Sequence, residues 1–138
     1  MNFTPRSAEE ARRVSFRGPI PPGLYTSTII AATDTFSRRN TPMIAVQHLV
    51  QLPDGERELR DWLVDAEATA EKTRSAIEAI DALDRVEHGE AINASDFAGR
   101  TVQILVGLEK RRGQPDRNFV QLYRAVPSAV VTPIRSAG

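Results

Sequence analysis

The sequence predicts a mainly β domain with one helix, in the order β-β-β-α-β-β. Three observations carry this. Five stretches are rich in Val, Ile, Thr and aromatic residues, and the second and fourth of them alternate along their length. Pro53-Asp54-Gly55 separates the second stretch from the third, and Asp and Gly both tolerate the positive φ that a tight hairpin turn requires. Between the third and fourth stretches, Ala76, Ile77, Ile80 and Leu83 recur at helical spacing instead.

Each element follows from its residues. Residues 1–18 are polar with mixed charge and carry no apolar stripe, so a flexible arm is expected there. Gly18-Pro19 and Pro21-Pro22-Gly23 break any helix begun upstream and read as an extended lead-in. Residues 24–36 form the first strand, and 37–42 a loop containing Arg38, Arg39 and Asn40. Residues 43–52 form the second strand, with Ile44, Val46, His48, Val50 and Leu52 on one face. Residues 56–64 form the third. Asp65 is placed to cap a helix, Glu67 to complement its dipole and Asp81 to pair with Arg85 one turn on. Gly89 stops that helix after His88. Residues 90–99 are a connector, and 100–108 a strand with Val102, Ile104, Val106 and Leu108 facing one way. Residues 109–118 read as a polar loop, 119–126 as the last strand, and 128–138 as a loose tail. One domain over 19–127 results.

This is the chain order of the OB-fold, a five-stranded Greek-key barrel. A helix covering one end of the closed sheet would bury its narrow stripe and remove the exposed strand edges. The alternative is an α+β sandwich with the helix across an open antiparallel sheet.

Composition narrows the function. A chain of 138 residues suits one modest core. It has no cysteine, which removes disulfides and thiolate chemistry. The first 16 residues lack the apolar core of a signal peptide, and the longest apolar stretch, near 104–108, is too short to span a bilayer, so the cytoplasm is expected and no membrane partner. Net charge is zero, which argues against an indiscriminate nucleic-acid coat. The charge is segregated, however: twelve acidic and five basic residues lie between Asp54 and Glu90, while Arg38-Arg39 and Lys110-Arg111-Arg112, with Arg117 nearby, form basic clusters. Sixteen arginines against two lysines suit bidentate phosphate contacts, and equally reflect a GC-rich coding sequence.

In an OB barrel the loops joining strands 1–2 and 4–5 flank the binding groove. Arg38, Arg39, Lys110, Arg111, Arg112 and Arg117 fall in those loops and are the candidate phosphate contacts, although charged residues in a solvated loop need no ligand. Tyr25, Phe36, Trp62, Phe119 and Tyr123 are the candidate base-stacking rings. Phe36 and Phe119 border the basic loops. Trp62 shares its face with Arg60 and Val64, and Leu59 and Leu63 share the other, so it belongs to the core or core rim, or else to the binding surface. His48 shares an apolar face and reads as structural. His88 sits at a helix C-terminus, and Asp61 and Asp65 read as solvated. No metal-ligand set, cofactor motif or catalytic constellation is present, so no enzyme is expected.

The lead-in Gly18-Pro19-Ile20-Pro21-Pro22-Gly23-Leu24-Tyr25 resembles the Pro-x-Gly-x-Tyr stretch of small phage- and prophage-encoded proteins proposed to bind single-stranded DNA. Asn2-Phe3-Thr4-Pro5 and Phe97-Ala98-Gly99-Arg100 are also similar to that family. The resemblance implies an OB-like fold and a role in replication or recombination. The expected function is therefore non-enzymatic binding of single-stranded nucleic acid, DNA or RNA. The alternative is a protein-interaction or assembly module on the same barrel, which the neutral charge, the few aromatics and the acidic helix favour. The apolar Ala129-Val130-Val131 and exposed strand edges are compatible with a homodimer.

Overall fold

A computed structural model describes residues 18–127. The expected arm and tail, with Asn2-Phe3-Thr4-Pro5 and Ala129-Val130-Val131, lie outside the described residues.

Five strands form one antiparallel sheet: β1 (Gly23–Phe36), β2 (Pro42–Leu52), β3 (Gly55–Val64), β4 (Thr101–Arg111) and β5 (Gln114–Arg124). Their spatial order is β3-β2-β1-β4-β5. Long β1 is the hub, pairing with β4 over 23–28 and with β2 over 27–36. Among the described residues no ladder joins the edge strands β3 and β5. Helix α1 (Ala70–Ala79) packs against both of them.

Register assigns the two faces. Ser27 lies opposite Val50 and Val102, Ile29 opposite His48, and Ile104 opposite Tyr123, all facing inward. A bulge at Ile30 adds one residue to β1, so Ile30 is exposed and Ala32 and Asp34 take up the inward phase opposite Val46 and Ile44. Such a bulge sharpens the bend of the strand. Ile29, Val46, Val50, Leu63, Val102, Val106 and Val120 form the sheet side of the core, and Ala76, Ile80, Ala82 and Phe97 close it from the helical side.

The segment between β3 and β4 departs from the expected single helix. It comprises a 3-10 turn (Glu67–Thr69), α1, α2 (Leu83–Glu87) and α3 (Ala94–Phe97), the last within the expected connector. Asp81 takes the left-handed conformation (φ 60°) and breaks the helix there. Arg85 therefore pairs not with Asp81 but with Asp96 of α3, at 2.7 Å. Asp65 is not a cap; the hydroxyls of Thr69 and Thr73 instead donate to the Val64 carbonyl (2.8 and 3.0 Å) and tie α1 to the end of β3. Gly89 (φ 84°) does follow α2, and His88 Nδ1 donates to the Asp84 carbonyl at 2.7 Å.

The second departure is at 109–118. This is a hairpin, not a loop: β4 runs to Arg111, Arg112-Gly113 makes the turn with Gly113 at φ 71°, and β5 begins at Gln114. Much of this ribbon is solvent-exposed, so it lacks the apolar alternation that marks a half-buried strand. At its base Asn118 holds the proline-rich lead-in, accepting from Ile20 N–H (2.8 Å) and donating to the Ile20 carbonyl (2.9 Å). No helix among the described residues is long and apolar enough to cross a membrane.

Candidate nucleic-acid interface

The outward residues of β1, β2 and β3 build the candidate surface. Register lines up Thr33, Ala45 and Trp62 in one row, Ala31, Gln47 and Arg60 in the next. Because Ala31 and Ala45 are small, a shallow recess of about 200 Å³ opens above them, walled by Trp62, Arg60 and Gln47. Trp62 is 47% exposed, which settles its phase: Leu63 points into the core and Trp62 does not. Gln47 Nε2 donates to Glu58 at 2.6 Å, while the Arg60 guanidinium has no partner among the described residues.

Arg38 and Arg39 sit in the β1–β2 turn. Ser37 organises that turn: its N–H donates to the Thr41 carbonyl (2.8 Å), and its hydroxyl accepts from the N–H groups of Arg39 and Thr41 (3.2 and 3.1 Å). Asn40 takes the left-handed conformation there (φ 65°). Both arginine side chains are exposed on this ordered turn.

The other basic cluster lies on the β4–β5 hairpin and is largely engaged within it. Arg117 donates to Glu109 at 2.6 Å, Lys110 lies 3.9 Å from Asp116, and Arg111 donates twice to the Pro115 carbonyl (3.2 and 2.9 Å). Of these four, only Arg112, in the turn, has no partner among the described residues. The antiparallel register sets the two clusters at opposite ends of β1, Arg38-Arg39 beyond Phe36 and Arg112 beyond Gly23. A ligand touching both would run the length of the sheet.

The aromatic candidates divide. Phe119 is 42% exposed and lies across Gly107, where an added Cβ would stand 2.6 Å from its Cζ. Phe36, 62% exposed, follows the inward phase of β1 and walls a cavity beneath the helical segment. Tyr25 is half-buried and donates to the Pro21 carbonyl, and Tyr123 is buried in the core, so neither ring is offered for stacking.

Tyr123 belongs instead to a buried polar chain contributed by five elements. The Ser27 hydroxyl donates to His48 Nδ1 (2.7 Å), His48 Nε2 donates to the Tyr123 oxygen (2.8 Å), and Tyr123 donates to Asp61 Oδ2 (2.7 Å). Lys72 of α1 completes it at Asp61 Oδ1, 2.7 Å away. These directions follow from Asp61 being ionised and accepting only. Burial pushes His48 from 6.5 down to about 4, with Lys72 acting the same way and Asp61 opposing. Burial, followed by the Asp61 charge, holds the Tyr123 hydroxyl well above its ordinary value. His48 is thus structural, as its apolar neighbours imply, whereas Asp61 is buried and not solvated as expected. Its position between Leu59 and Leu63, on the inward phase of β3, was the available signal. Ser27 and His48 are fully enclosed, so their contact is not open to a substrate.

Among the described residues, no three His, Cys, Asp or Glu side chains converge as a metal-binding group. No protein-family model matches this chain, and a search of curated proteins finds no match.

Proposed function

We propose that this chain is a non-enzymatic protein that binds single-stranded nucleic acid on the outward face of β1, β2 and β3. The carrying observation is the recess beside Trp62. An exposed indole, the Arg60 guanidinium with no partner among the described residues and a floor of alanines offer a base a ring to stack on and a cation for its phosphate. Arg38 and Arg39 extend the positive surface from the turn at one end of this face, and beyond the other end of β1 the β4–β5 hairpin offers a cation at Arg112 and an exposed ring at Phe119. The strand order and the placement of the helical segment between β3 and β4 support reading the fold as an OB-like barrel, in which α1 fills the seam between β3 and β5. Cytoplasmic service in phage or mobile-element replication or recombination fits this reading.

The test uses the single tryptophan as its own reporter. Titrating the full chain with a 20-mer of oligo(dT), and separately of oligo(U), should quench Trp62 fluorescence and raise the anisotropy of a labelled oligonucleotide, with affinity falling as salt rises. Absence of both signals at low salt sinks the proposal. The two arms also distinguish DNA from RNA.

A further inference from the structure

A second surface carries chemistry of the opposite sign. A cavity of about 570 Å³ lies between the ends of β1, β2 and β3 and the helices α1, α2 and α3. Ile44, Leu63, Ile77 and Phe97 form its apolar floor, and the exposed side chains of Phe36 and Val86 stand at its edge. Asp34, Asp65 and Glu90 also line it, and among the described residues no Lys, Arg or His does. Their charges are only partly answered. Asp34 Oδ1 accepts from Ala94 N–H at 3.0 Å, Glu90 lies 3.6 Å from Arg85, and the Asp65 carboxylate has no partner among the described residues.

The geometry points to a docking site for a partner protein's peptide segment that carries aliphatic residues flanked by arginine or lysine. The volume falls within the range of pockets that enclose ligands, roughly 300–1,000 Å³. The apolar floor takes the aliphatic side chains and the carboxylates take the flanking cations. Phe36 and Val86 extend the apolar surface past the cavity mouth, which a peptide covers and a small molecule does not. Nucleic acid is the wrong ligand here, because three carboxylates repel phosphate. The site therefore adds a partner to the proposed nucleic-acid function without sharing its face, and it accounts for the exposure of Phe36, which the stacking surface does not use.

The test is methyl NMR on the full chain with three capped peptides: Arg-Leu-Ile-Arg, Glu-Leu-Ile-Glu and Arg-Ser-Ser-Arg. The first should shift the methyl signals of Ile44, Ile77 and Ile92, the last also lining the cavity, in a saturable way, and the other two should not. Asp65→Asn should weaken that binding about threefold, the scale of an exposed ion pair, and should leave oligonucleotide affinity unchanged. Equal shifts with the acidic peptide, or none with the first, overturn the proposal. So does tighter binding of a peptide of residues 128–138, which would give the cavity to the chain's own tail. Shifts that follow protein concentration without peptide would give it to a second copy and overturn it likewise.

Discussion

The Tyr123 hydroxyl donates to Asp61 Oδ2 at 2.7 Å across the seam between β5 and β3. This is where the sheet lacks a ladder, so side chains do what backbone pairing does elsewhere. Ser75 of α1 adds to it by accepting from the Tyr123 N–H at 3.1 Å, a group left unpaired on the edge strand. Lys72, from the same helix, neutralises Asp61. Tyr123→Phe removes one hydroxyl and strands the buried His48 N–H, at about 1–3 kcal/mol, while Asp61 keeps Lys72. Asp61→Ala leaves Lys72 and Tyr123 without their acceptor and should cost more, about 3–5 kcal/mol. Urea unfolding should rank the variants in that order. A loss below about 0.5 kcal/mol in Tyr123→Phe would show that the seam does not depend on this contact.

The same chain makes stability depend on acidity. His48 is neutral in the fold, with Ser27, Tyr123, Asp61 and Lys72 as the polar groups around it, and its value falls to about 4. In the unfolded chain it returns to 6.5 and takes up a proton first as the pH drops. The folded-state value is the lower one, so the contribution is fully present above pH 6.5 and is lost as pH falls towards 4. Its size is about 3 kcal/mol. Urea midpoints of wild type and His48→Gln, compared at pH 7.5 and 4.5, isolate it. The wild type should lose more stability over that interval than the variant. Parallel losses would assign the acid sensitivity to other groups.

How much of this was legible in the sequence follows from the physics of each part. The β1–β2–β3 meander could be read because Asp54-Gly55 and the alternation of Ile44, Val46, His48 and Val50 are local signals. The β4–β5 ribbon could not, because Lys110, Arg111, Asp116 and Arg117 face solvent and carry no alternation. The helix reads as continuous in the sequence because the stripe from Ala76 to Leu83 keeps helical spacing through the break, and only the backbone at Asp81 reveals it. The polar chain joins β1, β2, β3, α1 and β5 over long sequence separations, so no local pattern announces it. Trp62 reads equally as core, because Arg60 and Val64 on one side and Leu59 and Leu63 on the other give no clear phase, and only the inward Leu63 turns its ring outward.

Gly107 and Phe119 make a coupled pair on the outward face of β4 and β5. An alanine at 107 would bring its Cβ to 2.6 Å from Phe119 Cζ, so the ring must leave its place. Gly107→Ala should destabilise the wild type by about 1 kcal/mol, the lost cross-strand packing outweighing the better strand propensity. In a Phe119→Ala background the ring atoms that crowd the methyl are gone, and the same change should be neutral or stabilising. A double-mutant cycle by urea unfolding reads the reversal of sign. Additive costs would mean that the ring does not hold the glycine in place.

The proposed binding face makes its own ordering of variants. Trp62→Ala removes a stacking ring, worth about 1–3 kcal/mol per base, and touches no phosphate contact. It should weaken oligo(dT) binding by about 5- to 150-fold and leave the slope of affinity against salt unchanged. Replacing both Arg38 and Arg39 by alanine removes cations that have no partner among the described residues, so it should flatten that slope by up to about 1.4 units, since each neutralised phosphate contributes roughly 0.7 on a single strand. Arg117→Ala should do less, because Arg117 must first release Glu109 at 2.6 Å before it meets a phosphate. Anisotropy titrations from 20 to about 300 mM salt separate the two signatures. A slope unaltered by the loss of Arg38 and Arg39, with affinity unaltered by the loss of Trp62, would remove this face from consideration. A slope that responds only to Arg112 would move the electrostatic contact to the opposite end of β1.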